Sequence, residues 1–170
     1  MRYITAPWRA SYVRSTQSGG PCALCAALRS RNDREAAVLY RGHRTFILLN
    51  RFPYTPGHLM IAPRRHTGDF AGAGRAEAVE LAELLQLAVR VLRTAYTPHG
   101  FNAGMNLGQS AGAGIADHYH MHVVPRWTGD SNFMPLVGET RVFIEDLDTT
   151  YERLRPLFDK AKRRPERAGR

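Results

Sequence analysis

His118-Tyr119-His120-Met121-His122-Val123-Val124-Pro125-Arg126 places three of the chain's seven histidines at two-residue spacing and runs them into an apolar, β-branched pair. The spacing predicts a strand over 118–124. Strand side chains alternate between faces, so His118, His120 and His122 share one face while Tyr119, Met121 and Val123 take the other. A row of imidazoles gives a core nothing that Val or Thr would not supply with better packing. The row therefore points to chemistry, either metal ligation or a nucleophile that handles phosphate. As ligands of a catalytic metal the three histidines would want a further carboxylate or histidine, and Asp117 falls on the opposite face.

Working outward from this strand, Asn102–Leu107 reads as its neighbour, joined to it by a loop rich in Gly and Ala. Upstream, Ala36–Tyr40 and Thr45–Asn50 are short apolar runs around Arg41-Gly42-His43-Arg44, a hairpin pattern, and Leu59–Ala62 is a third run closed by Pro63. From Arg75 to Tyr96, Ala78, Leu81, Leu84, Leu85, Ala88, Val91 and Leu92 recur at helical spacing, with Glu77, Glu80, Glu83 and Arg93 off the stripe. A second helix is expected over 144–160, with Leu147, Tyr151, Leu154, Leu157 and Phe158 on one side. Short strands on both sides of one long helix predict an α+β chain: an antiparallel sheet packed on that helix, with a C-terminal helix added. The expected organisation is an N-terminal arm over 1–35, a central domain over 36–135, a C-terminal helix over 136–159 and a solvated, disordered basic tail over 160–170.

The chain's 170 residues fit one domain with a core that needs no covalent staples. No apolar run approaches the length of a membrane span and no basic-then-apolar leader opens the chain, so a cytoplasmic protein without membrane contact is expected. The net charge of +9 invites a nucleic-acid reading. Its distribution weakens that reading: Lys160, Lys162, Arg163, Arg164, Arg167 and Arg170 against Glu166 leave five of the nine charges on the last eleven residues. Such a tail attracts polyanions nonspecifically. The two cysteines, in Cys22-Ala23-Leu24-Cys25, suit a metal knuckle or a redox pair better than a secreted disulfide framework.

The His118–Val124 stretch resembles the signature of the histidine triad superfamily of nucleotide hydrolases and nucleotidyl transferases, His-x-His-x-His followed by two apolar residues. Asn50-Arg51-Phe52-Pro53-Tyr54-Thr55-Pro56-Gly57-His58 and the strand after it are similar to the family's upstream segment. His99–Gly108 with Ser110-Ala111-Gly112 is similar to its phosphate-side loop. The resemblance covers residues 36–127 and extends weakly through Asp130-Ser131-Asn132-Phe133. It implies an antiparallel-sheet fold, a homodimer, and nucleotide substrates. Within the superfamily the chain looks most like the dinucleoside polyphosphate branch, and more narrowly like bacterial diadenosine tetraphosphate phosphorylases, with phosphate or water as acceptor.

The same resemblance assigns roles. His120 would attack the α-phosphorus and carry a covalent nucleotidyl group, its tautomer set by the carbonyl of His118. His122 and His58 would face the phosphate or leaving oxygens. Asn50 would contact the sugar, and Asn106, Gly108, Gln109, Ser110 and Gly112 would serve the phosphate side. The chain departs from the family at Ala111-Gly112-Ala113-Gly114-Ile115, where many members carry Gln and a hydroxyl; backbone donors with Gln109 or Ser110 remain. In the family's zinc-bearing branch, Cys22, Cys25, His66 and His118 would form a structural Cys2His2 site. Arg126 and Arg51 are candidates for a small-anion site. Three other readings stay open: a hydrolase of nucleoside phosphoramidates or mononucleotide conjugates, a zinc-containing nucleotide- or nucleic-acid-binding module, and a metalloenzyme using the three histidines as ligands.

Overall fold

The computed structural model describes residues 20–130 and 145–162. The expected arm up to residue 19, the weak extension from Ser131 onward and the tail from 163 lie outside them. The described elements run α1 (Ala23–Arg29), β1 (Val38–Arg41), β2 (Thr45–Leu49), β3 (Leu59–Pro63), α2 (Arg75–Tyr96), β4 (Gly100–Met105), a single 3-10 turn (Gln109–Ala111), β5 (Met121–Arg126) and α3 (Leu147–Lys162). The five strands form one sheet in the order β1-β2-β3-β5-β4, every pairing antiparallel. The expected α+β architecture is therefore the observed one.

Alternation along the strands splits the core in two. Ile47, Leu49, Leu59, Ile61 and Val123 face α2 and α3, meeting Leu81, Leu84, Ala88 and Leu92 of the first and Tyr151, Leu154 and Phe158 of the second. Phe46, Leu48, Met60 and Ala62 face the other way and meet Leu24 of α1. Helix α2 covers the predicted span and stops where Thr97 turns left-handed (φ 45°), its N–H closing on Arg93 O, with Pro98 next. Among the described residues no helix is long and apolar enough to cross a membrane.

Three expectations shift. The histidine strand begins at Met121, three residues later than predicted. Its ladder with β3 stops at the Ile61–Met121 pair, and Pro63, which has no N–H, gives nothing to extend it. The face alternation nonetheless holds, with Tyr119 in the helix-side core and His122 opposite Met60. β4 runs Gly100–Met105 rather than 102–107, its register set by pairing Gly100 with Arg126 and Met105 with Met121. α3 starts at Leu147 because Asp146 caps it, its Oδ1 accepting from Thr149 N at 2.7 Å, and it continues through Lys162 into the segment expected to be tail.

Two glutamates that lie off the apolar stripe of α2 do structural work. Glu77 is 7% exposed, and takes Arg65 Nε at 2.9 Å and the Tyr119 hydroxyl. Glu80 accepts the backbone N–H groups of His43 (2.7 Å), Arg44 (2.6 Å) and Thr45 (3.1 Å), closing the β1–β2 turn. Gly42 lets that carboxylate approach, since a Cβ there would fall 2.4 Å from Glu80 Oε1 and 2.8 Å from Thr45 O.

Candidate active site

A cleft of ≈ 560 Å³ runs along the β4–β5 pair, walled by Tyr54, Thr55, Asn102, Asn106, His122 and Arg126 among others. His122, Val124 and Arg126 alternate onto the same face of β5, which is how one strand furnishes both ends of the wall. Thr55 Oγ1 donates to Pro125 O at 2.9 Å and pins the loop before β3 across the strand.

The imidazole tautomers follow from their partners. His58 Nδ1 accepts the backbone N–H of Tyr54 at 3.1 Å, so a neutral His58 carries its proton on Nε2. That Nε2 lies 3.0 Å from His122 Nδ1 and donates to it, which leaves His122 with its own N–H on Nε2. Asn50 is buried beside this pair: its Oδ1 accepts Phe52 N at 2.9 Å, and its Nδ2 lies 3.4 Å from His58 Nδ1. The Tyr54 ring covers both histidines, 4.7 Å from His58 and 6.1 Å from His122 between centroids. His120, 4% exposed, donates from Nδ1 to His118 O at 3.0 Å, so its Nε2 holds the lone pair. Burial pushes this imidazole below its ordinary pKa of 6.5, against the opposing pull of the carbonyl. At neutral pH His120 is a free base, 4.9 Å from His122 between ring centroids.

A second cluster lies behind the first. Cys22, Cys25, His66 and His118 place one ligand atom each within 4.8 Å of one another. His118 Nε2 donates to Pro63 O at 2.8 Å, which turns the Nδ1 lone pair toward the thiols. Nδ1 is 3.3 Å from Cys22 Sγ, 3.5 Å from Cys25 Sγ and 3.4 Å from His66 Nδ1, and Cys25 Sγ is 3.4 Å from His66 Nδ1. A tetrahedral ion with sulfur at about 2.3 Å and nitrogen at about 2.05 Å has ligand-to-ligand edges of about 3.3–3.8 Å. The four residues fit a metal. Burial pushes the Cys22 thiol up, so a cation is also what would favour its thiolate.

The remaining sequence candidates divide. Asn106 reaches the cleft wall, its Nδ2 donating to Gly112 O at 3.3 Å, and so holds the loop as well. Gly108 and Gly112, at φ 83° and 84°, bracket the turn that carries Gln109 and Ser110; all four lie outside the cleft wall, as does Asn50. Arg126 reaches the wall, held by Asp130 and by Asn102 Oδ1 at 2.7 Å, whereas Arg51 donates to Glu35 O at 2.6 Å, away from it. Sequence reading passed over Tyr54, Asn102, Asp130 and the Glu77–Tyr119 contact. Asn102 and Asp130 had a usable signal, each lying where strand pairing or an i, i+4 step brings it to Arg126. Tyr54 had none, since a loop aromatic has no periodicity.

The HIT domain family matches residues 31–129. An AP-4-A phosphorylase of Mycobacterium tuberculosis is 36% identical over 157 residues, covering 88% of this chain and 80% of that protein. A zinc-bound histidine triad family protein from Mycobacterium smegmatis superposes with a TM-score of 0.66 at 24% identity, over 87% of this chain and 98% of that one. A Plasmodium falciparum diadenosine triphosphate hydrolase superposes at 0.61 with 16% identity, over 78% and 80%. The last two likenesses establish the fold.

Proposed function

Because the chain belongs to the HIT domain family, we propose that it cleaves dinucleoside polyphosphates and passes the nucleotidyl group through His120. The observation that carries this is the tautomer chain of buried His120 and His58 on either side of His122, which meets the cleft. His120 presents a lone pair because the His118 carbonyl holds its other nitrogen, and His122 presents an N–H because His58 donates to it. One group attacks and its neighbour stabilises charge.

His120 Nε2 attacks the α-phosphorus; the N–P bond forms as the P–O bond to the remaining polyphosphate breaks. The departing oxygen takes the electron pair, and the His122 N–H donates a hydrogen bond to it where charge accumulates. An acceptor oxygen then bonds to the phosphorus as the N–P bond breaks; the electron pair returns to His120 Nε2, and the acceptor's proton passes to solvent. Inorganic phosphate is the acceptor we favour. The support is the activity in the name of the 36% identical relative.

We assign zinc to the Cys22, Cys25, His66 and His118 cluster, where it would tie α1 to the approach of β5 as a structural ion. The support is the ligand set and spacing, with a zinc-bound protein of the same fold beside them. A homodimer completes the reading: among the described strands β4 has a neighbour on one side only, which leaves a sheet edge for a second copy.

Diadenosine tetraphosphate, incubated with and without inorganic phosphate, tests the proposal. ATP with ADP marks phosphorolysis; ATP with AMP marks hydrolysis and corrects the acceptor. Intact substrate in both arms overturns the reading.

A further inference from the structure

The two clusters share one peptide unit. The carbonyl that fixes the His120 tautomer belongs to the peptide between residues 118 and 119. The N–H of that same unit, on Tyr119, donates to Thr67 O at 2.8 Å. His118 is a ligand of the metal cluster on one side of the unit, and Thr67 directly follows His66, a ligand on the other. The peptide is therefore gripped at its carbonyl end by residue 118, whose ring is held at both nitrogens, and at its amide end by the 66–67 segment. His118 is fully buried, whereas His66 is exposed. Without an ion, the tie from residue 66 to the thiols rests on a side chain open to water.

We propose that the Cys22–Cys25–His66–His118 centre positions the nucleophile: with a metal bound it locks the 118–119 peptide and so holds His120 as the Nδ1–H tautomer. His66 and the two cysteines are then positioning residues for the reaction, remote from the substrate. The inference rests on the reading of His120 as nucleophile, and extends the role of the cluster beyond stapling the fold.

The test uses full-length protein loaded with Zn2+ alone or with the larger Cd2+ alone, together with His66→Ala and His66→Cys. The second variant offers a Cys3His set, which zinc also accepts. Nitrogen-15 spectra of the histidine rings read the tautomer without substrate. The zinc protein should show His120 as the Nδ1–H form, exchange to Cd2+ should move the His120 ring signals while exposed His99 stays in place, and His66→Ala should mix the tautomers. Turnover of diadenosine tetraphosphate should fall about 10- to 100-fold in kcat for His66→Ala, with KM within about two-fold, and His66→Cys should recover most of it. His120 signals indifferent to metal exchange overturn the inference, as does a folded His66→Ala protein with wild-type kcat. If His66→Ala does not fold, the cadmium exchange and His66→Cys decide. If the wild type turns over no dinucleoside polyphosphate, the functional reading fails while the ring spectra still judge the positioning.

Discussion

Tyr119→Phe removes one oxygen from the middle of the histidine motif and leaves the ring where it packs against Phe70, 5.3 Å away between centroids. The phenol is 1% exposed and its hydroxyl donates to Glu77, which keeps Arg65 as its other partner. A hydrogen bond to a charged acceptor contributes about 1.5–3 kcal/mol, and the retained Arg65 contact puts the loss at the low end, about 1.5–2 kcal/mol. For a chain of this length that lowers Tm by about 3–8 °C. Urea unfolding at pH 7 should show a reduced midpoint with an unchanged slope. The contact also carries a pH signature. Arg65 first, then Tyr119, holds the Glu77 carboxyl below its ordinary value of 4.5, against the effect of its burial. Its stabilisation is complete above pH 4.5 and disappears as the pH falls from there through the lowered folded-state value, because protonation of the unfolded chain then wins. The stability difference between wild type and Glu77→Gln should therefore be largest near neutrality and close in acid. A Tyr119→Phe protein within about 0.5 kcal/mol of wild type would refute the argument, since that is the scatter of neutral surface changes.

His120→Ala should lower turnover of diadenosine tetraphosphate by at least about 10³-fold while keeping the far-UV spectrum and nucleotide affinity; residual turnover near wild type would remove it as nucleophile. Cys22→Ser should lose the ion by elemental analysis and melt at a lower temperature, and an unchanged melting curve in a metal-free variant would leave the pair without a structural role. Deletion of residues 163–170 should leave turnover within a few-fold and flatten the salt dependence of any DNA binding by roughly one slope unit per lost phosphate contact. The cut belongs at 163 because Lys160–Lys162 form the last turn of α3. A tail-less protein that no longer turns over substrate would place those residues at the site.

Where function depends on periodicity, the sequence could be read directly. Alternation put His118, His120 and His122 on one side and Tyr119 and Val123 on the other, and the structure keeps that parity even though regular pairing begins only at Met121. The seven-position stripe of α2 located the helix, yet it left Glu77 outside the apolar set. Its burial depends on Arg65 and Tyr119, partners 12 and 42 residues away that no local pattern links. Asn50 was legible as part of a motif but not in its contacts: it braces His58 and lies off the cleft wall. The carbonyl of the 118–119 peptide was reachable only through the family resemblance, and its amide bond to Thr67 was invisible, because main-chain bonding leaves no mark in side-chain identity.

The Glu80 carboxylate, seated on three consecutive amides of the β1–β2 turn, can be regarded as an intramolecular ligand of an anion nest. Seen so, the hairpin carries a linkage: its turn is saturated only when α2 docks, which makes strand register and helix packing one cooperative event. Glu80→Ala would vacate the nest while Gly42 keeps its entrance open. Stability of that variant should then climb with the logarithm of sulfate or phosphate concentration, whereas the native chain, which brings its own anion, should respond less steeply.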